Sequence, residues 1–480
     1  MKKQQSKSPL NKVCLTLLYL FPVILYFSYY PILLLPLNSD SMHLELSLPL
    51  IWLVVFTVIS IVLLIKIRRP HNPSKKILFS LLFFPIYLSL SIFWSKNPLR
   101  AVLTVGILWC LYISIYAIVV IFTTIKRFDK EKFLKFFLFG SLGVCLFCWL
   151  QCILDIFGVP RELTLLCRGC TSQMFGFPHP SGFAIEPQFM GNLLIVPSLL
   201  SLYLLFSHNH SPKSTFPKRL SLLLSSVFIS TLFLTFSRGA IYSFLVATIF
   251  LLIINLIKKN HHYLISLPII VICFIFTLVS QGVFSQLSYT NDTFLSGIDK
   301  TVSQLSLGII NPGFSRPNPG NAEPEPSSDV PEDPGENLSV FSGYVEESTD
   351  IRLNLNSLAL SAIASPEQAI FGFGLGSAGT ILFEQGKIAS KLEIIQNEYF
   401  SLLLETGILG LTLAALSLVI IIYVVKKSFA LPERFLLYSI FLAFLLSLNF
   451  FSGLPNALHI YLFTAFVCIM LPRSLHSSRS

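Results

Sequence analysis

Gln396-Asn397-Glu398-Tyr399-Phe400-Ser401-Leu402-Leu403-Leu404-Glu405-Thr406-Gly407-Ile408-Leu409-Gly410 leads from a polar, carboxylate-bearing cluster straight into an apolar stretch that ends near Val425. Phe400–Val425 is long enough to cross a bilayer, which takes about 20 apolar helical residues. A bilayer core has no water to take up backbone hydrogen bonds, so such a stretch must be helical. Glu405 lies a little inside the apolar run. A carboxylate facing lipid there is costly, so it faces protein or water. The cluster also follows the one long hydrophilic segment of the chain. A polar patch where a soluble loop returns to the membrane is a natural place for chemistry on a lipid-linked substrate.

The rest of the chain repeats the apolar pattern. It is 54% hydrophobic and 12% charged, and runs of membrane-spanning length recur along it. The spans expected are Val13–Leu37, Pro49–Ile65, Ile77–Phe93, Ala101–Phe122, Phe136–Leu154, Gln188–Phe206, Leu220–Phe236, Ile241–Ile257, Tyr263–Phe284, Phe400–Val425, Phe435–Ser452 and Leu458–Leu471. The expected fold is therefore an all-α polytopic membrane protein of about twelve transmembrane helices, with a large extracytoplasmic loop between helices nine and ten. It divides into a membrane domain over residues 1–284, the loop over 285–399 and a second membrane part over 400–480.

Charge sets the expected orientation. With the N-terminus inside and alternation thereafter, 24 of the 34 basic residues fall on the inner side, whereas the acidic residues there are only Asp129, Glu131 and Glu433. The positive-inside rule thus fits twelve helices with both termini in the cytoplasm. The same loops account for the +10 net charge, so no nucleic-acid partner is needed and the lipid bilayer is the expected surroundings. The first span is long and has no small-residue cleavage site after it, so it reads as an anchor and not a removed signal peptide.

Of nine cysteines, seven lie in apolar runs as small packing residues. Cys167-Arg168-Gly169-Cys170 sits in an outer loop, where two free thiols or a local disulfide are both open; zinc would need two further ligands. Residues 311–337 hold seven prolines and six acidic residues without periodicity, a linker lacking the apolar content for a core. Beyond it, Ile351–Ala364 suits an amphipathic helix that Ser365-Pro366 would stop. Phe371-Gly372-Phe373-Gly374-Leu375-Gly376 follows as a turn allowing close backbone approach. It follows no strand, which excludes a dinucleotide site.

Four polar features fall on the expected outer face. They are Arg238 in the hairpin Ser237-Arg238-Gly239, Arg352 at the start of the amphipathic helix, the Gln396–Glu398 cluster, and Pro178–Pro187 with His179 and Glu186. A guanidinium offers a fork of donors that matches a diphosphate. A carboxylate or neutral imidazole can take a proton from a sugar hydroxyl. Each has a plainer alternative: Arg238 could touch lipid phosphate, and Glu398 or Glu186 could cap the helix it precedes. No paired aspartates of the DxD kind occur on that face, so a reaction without metal or cofactor is expected.

These motifs, in this order and layout, resemble the O-antigen ligase and O-antigen polymerase superfamily of bacterial envelope proteins. The resemblance runs by motif from about Ile185 to Val425. It rests on Ser237-Arg238-Gly239, on Arg352 ahead of Phe371–Gly376, and on Asn397-Glu398-Tyr399 followed by Leu404–Gly410. It implies a membrane glycosyltransferase using an undecaprenyl diphosphate-linked glycan donor and a glycan or lipid acceptor, with Arg238 and Arg352 on the diphosphate and Asn397 at the substrate. One position departs from the pattern. The superfamily reads His-Asn where this chain reads Gln396-Asn397, and a glutamine cannot act as a base near neutral pH. Gln396 is then left to orient a hydroxyl or phosphate, and the base falls to Glu398, Glu186 or His179. The competing readings are a secondary transporter or lipid-linked glycan flippase, which would place polar residues at mid-bilayer as well, and a non-catalytic assembly protein.

Overall fold

The computed structural model describes residues 9–28, 31–36, 43–66, 75–124, 129–172, 177–207, 216–258, 261–288, 293–306, 310, 344–388, 395–429 and 431–450. Their architecture is helical apart from one small hairpin. In chain order come α1 (Pro9–Ile24), strands β1 (Pro31–Pro36) and β2 (His43–Ser47), α2 (Leu48–Lys66), α3 (Lys75–Leu90), α4 (Pro98–Thr124) and α5 (Lys130–Ile156). Then follow α6 (Pro187–Ser207), α7 (Lys218–Leu234), α8 (Arg238–Ile257), α9 (Ser266–Leu287) and α10 (Phe294–Leu305). The last are α11 (Tyr344–Ser361), α12 (Pro366–Phe371), α13 (Ala378–Glu384), α14 (Glu398–Ser428) and α15 (Leu431–Ser447).

Among the described residues, seven helices are long and apolar enough to cross a membrane: α2, α4, α5, α6, α8, α9 with the turn before it, and α14. Apolar stretches in α1 and α3 are shorter, and α7 and α15, of 17 residues each, occupy two further expected runs. The twelfth, Leu458–Leu471, and the linker 311–337 lie outside the described residues.

The first expected span is corrected. Helix α1 stops at Ile24, and residues 31–36 pair antiparallel with 43–47 instead of continuing to Leu37 as helix. Proline explains the switch: Pro22 removes a backbone donor in the last helical turn, and Pro31 and Pro36 suit the ends of a short strand. The Ser28 amide is donated to the Phe183 carbonyl at 3.0 Å, tying this segment to the loop before α6.

Helix α6 is the centre of the bundle. It carries apolar residues all round, the pattern of a helix with no solvent-facing side, and Leu193, Leu194, Ile195, Val196 and Leu199 are all fully buried. Helices α7, α8 and α15 pack against it. Serines at 198 and 201 give the close approach that membrane helices use in place of a hydrophobic driving force.

A second, smaller core lies beside the bundle. Ala359 and Ala362 at the end of α11, Ala378, Ile381 and Leu382 of α13, Ile395 and Leu404 of α14 are buried together. Helix α11 begins at Tyr344, so Arg352 lies in its middle and not at its start. It ends at Ser361, and Ser365 then caps α12 in a box with Gln368.

Candidate functional site

The site grows around the turn Leu448–Phe450 that follows α15. Three helix beginnings meet it. The Glu398 amide donates to the Leu448 carbonyl at 2.9 Å, and the Tyr399 hydroxyl donates to Leu445 O at 2.7 Å, fixing the start of α14. The Gln188 amide in the first turn of α6 donates to the Phe450 carbonyl. At the start of α8, a side chain on Gly239 would bring its Cβ to 2.6 Å from Phe450 Cβ, so only glycine lets α8 approach. Arg238, Glu186 and Glu398 are thereby brought to one end of the bundle by residues adjacent or nearly adjacent to them.

Arg238 stands on a hairpin held in an unusual conformation. Phe236 has φ 52°, a left-handed backbone that a bulky residue adopts only when its surroundings over-determine it. Those surroundings are aromatic. His179 stacks on the Phe236 ring at 4.9 Å between centroids and Phe177 packs at 5.1 Å. The Ser237 amide donates to Thr235 Oγ1 at 3.3 Å. His179 is 7% exposed, and burial pushes its imidazole down to about 3, so the ring is neutral. The loop carrying it is pinned twice. The His179 amide donates to Cys170 O at 2.8 Å next to the Cys167–Cys170 disulfide, and Gln151 of α5 bonds both the amide and the carbonyl of Gly182.

Arg352 reaches the same end from α11. Its Nε donates to Gln396 Oε1 at 2.6 Å, just ahead of α14. Glu186 is exposed on the rim and lies within electrostatic reach of this guanidinium. Partial desolvation raises its carboxyl above the usual range, and the positive charge of Arg352 opposes that rise. Glu186 O starts α6 by accepting from Phe189 and Met190.

The Gln396–Glu398 cluster separates into three roles. Gln396 is exposed and holds Arg352. Asn397, expected at the substrate, is buried and caps α14, its Oδ1 accepting from the amides of Tyr399 and Phe400 at 3.0 and 3.3 Å. The capping expected of Glu398 is thus done by its neighbour. Glu398 is 6% exposed, whereas Gln396 and Glu186 lie on the surface, the first bonded to Arg352 and the second within its electrostatic reach. That surface joins a phosphate-matching cation, an amide that orients it, and a carboxylate able to take a proton, with the Arg238 hairpin beyond Phe450.

Residues 221–415 match the sequence model of a family described as O-antigen ligase. This part of the chain is similar to O-antigen ligases. The matched stretch opens within α7 and ends within α14, so it includes Arg238, Arg352 and the Gln396–Glu398 cluster, while His179 and Glu186 precede it. No curated protein matches the chain. The matched stretch therefore holds both arginines and the start of α14, and the segment before it holds the exposed carboxylate. Gln151 and Gln188 escaped the sequence reading; their only signal was an amide within or at the edge of an apolar run, where polar side chains need a partner.

Proposed function

We propose that this protein is a membrane glycosyltransferase that moves a glycan from undecaprenyl diphosphate to an acceptor hydroxyl at the outer face of the bacterial cytoplasmic membrane, in surface polysaccharide assembly. Its similarity to O-antigen ligases supports the enzyme class and a lipid-linked glycan as partner. The observation that supports the finer reading is the hydrogen bond of Arg352 to Gln396, with Glu186 in electrostatic reach of Arg352 and the Arg238 hairpin packed on Phe450 of the turn that also holds the start of α14.

In the reaction proposed, the acceptor oxygen attacks the anomeric carbon of the lipid-linked sugar. The bond from that carbon to the diphosphate oxygen breaks, and undecaprenyl diphosphate leaves with the electron pair. Arg352 and Arg238 stabilise the charge that develops on the leaving diphosphate, the kind of interaction that dominates many rate enhancements. The acceptor proton passes to Glu186. Among the three candidate bases it is the exposed one, whereas His179 is stacked beneath the hairpin and Glu398 is buried at the start of α14. Gln396 holds the guanidinium and takes no proton. No metal takes part in this scheme.

The direct test supplies purified protein with a lipid-linked glycan and an acceptor, and measures release of undecaprenyl diphosphate. Coupled release and glycan transfer are expected. Release absent under conditions where the protein is folded and binds the donor would end the proposal. A product ladder of repeat units identifies a polymerase, and transfer of one whole chain to a lipid identifies a ligase.

A further inference from the structure

Helix α14 is broken nine residues in. Gly407 has φ 65° and ψ −172°, a conformation open to glycine alone, and a Cβ there would strike the Ile370 carbonyl. The break releases backbone carbonyls within the apolar run, where unsatisfied groups are costly. Each is taken by a partner from elsewhere. Phe373 N donates to Leu404 O at 3.0 Å, Gly374 N to Glu405 O at 2.8 Å, and the Tyr87 hydroxyl to Thr406 O at 2.8 Å. The glycine-rich turn 371–376 is thus docked into the break.

The Glu405 side chain extends the same contact. It accepts the amide of Ala378 at 3.2 Å, with Gly376 and the cation Arg100 of α4 as its electrostatic neighbours. Arg100 itself lies against Gly376, and Ser95 donates to Leu375 O at 2.7 Å from the other side. Glu405 therefore fastens the first residue of α13 to the membrane helix. From there packing leads to the site. Ala378, Ile381 and Leu382 share the small core with Ala359 and Ala362 of α11, and with Ile395, the residue before Gln396. Lys387, just past α13, donates to Ser361 Oγ at 2.7 Å and so holds the end of α11 as well.

We propose that Glu405 is a positioning residue, fixing α13, and through it α11, so that Arg352 stands where it meets Gln396 and the donor. The positional part rests on the contacts above; its consequence for catalysis rests on the proposed glycan transfer. Glutamine keeps an oxygen at the same reach to accept the Ala378 amide. Aspartate keeps the charge opposite Arg100 but is one methylene too short to reach that amide. A positioning role thus predicts that Glu405→Gln is tolerated and Glu405→Asp is not, and a role for the charge predicts the reverse.

The experiment uses the full-length protein in lipid nanodiscs, with Glu405→Gln, Glu405→Asp and Glu405→Ala. Hydrogen exchange is followed over residues 344–361 and 371–384, and transfer is assayed in parallel. Faster exchange in both segments is expected for Asp and Ala, with α6 and α8 unchanged. Their kcat should fall by up to about 10²-fold, the scale of an ångström-sized misplacement, with near-native behaviour in Glu405→Gln. Native exchange over 344–361 in Glu405→Asp would overturn the proposal, as would a Gln variant as inactive as Asp. If exchange responds as expected while wild-type protein transfers no glycan, the positioning stands and the transfer reading fails.

Discussion

The contact between Arg352 and Gln396 allows a quantitative test. A bond to a charged group contributes about 1.5–3 kcal/mol when water is excluded. Gln396 is exposed, so solvent competes and about 1 kcal/mol is the better expectation. Gln396→Ala should then lower kcat/KM by about fivefold, since 1.4 kcal/mol is a factor of ten. Arg352→Lys keeps a charge but loses Nε and the planar fork. If that fork meets the leaving diphosphate, its loss should cost about 10²-fold, as removal of a transition-state donor does. The two changes meet in one contact and so are not additive. Lysine has no Nε–H with which to reach Gln396 Oε1, so Gln396→Ala in the Arg352→Lys background should cost less than about twofold, a coupling near 1 kcal/mol. The assay is undecaprenyl diphosphate release at subsaturating donor, with membrane levels of all four proteins matched. Additive costs, or near-normal output from Arg352→Lys, would refute both the gripping role of Arg352 and the orienting role of Gln396.

Glu186 acts as base only when ionised, so kcat/KM should fall as pH drops through its raised carboxyl range. Glu186→Gln should abolish that limb, while Arg352→Gln, which removes the charge opposing the rise, should move the limb to higher pH; a limb that persists in Glu186→Gln excludes Glu186 as the base. For topology, reporter fusions at Arg316 and Ser480 should give outer-face and cytoplasmic activity respectively, and a cytoplasmic signal at Arg316 would reverse the orientation. Shortening 315–336 should leave transfer nearly unchanged, because loop-closure entropy varies slowly with length. Lost activity at normal membrane levels would assign that segment a binding role.

The parts of this fold set by bulk hydrophobicity were legible in the sequence. Runs such as Pro49–Ile65 and Ile241–Ile257 reappear nearly intact as α2 and α8, because a bilayer leaves an apolar run only one way to satisfy its backbone. The same logic failed at Val13–Leu37, where prolines inside an apolar run end the helix and favour a hairpin. The sequence singled out Arg352 and Gln396 as separate polar features, and the hydrogen bond between them joins the two across 44 residues of chain. Individual roles were not legible. Asn397 and Glu398 are neighbours of similar polarity, and only the backbone geometry at the start of α14 decides that Asn397 caps the helix.

Glu405 shows the deeper limit. Its position in an apolar run signals that it must face protein, but nothing nearby in sequence names the partner. The partner is a backbone turn some thirty residues earlier, and the two fit because both segments are irregular: positive φ at Gly372, Gly374 and Gly376 meets positive φ at Gly407. A regular helix at 398–428 would have no carbonyls to offer, and a regular outer loop would have no amides aimed at them. Each irregularity alone would be costly and is stable only with the other. The site departs in a related way from the His-Asn pattern of the superfamily it resembles. A neutral histidine at 396 could accept from Arg352 through a ring nitrogen as Gln396 does through Oε1. The substitution therefore keeps the acceptor that orients the guanidinium and gives up only the group that titrates. In the reaction proposed, orienting the diphosphate-binding arginine and removing the acceptor proton would thus be separable tasks, with the second assigned to the exposed Glu186, whose charge interacts with Arg352.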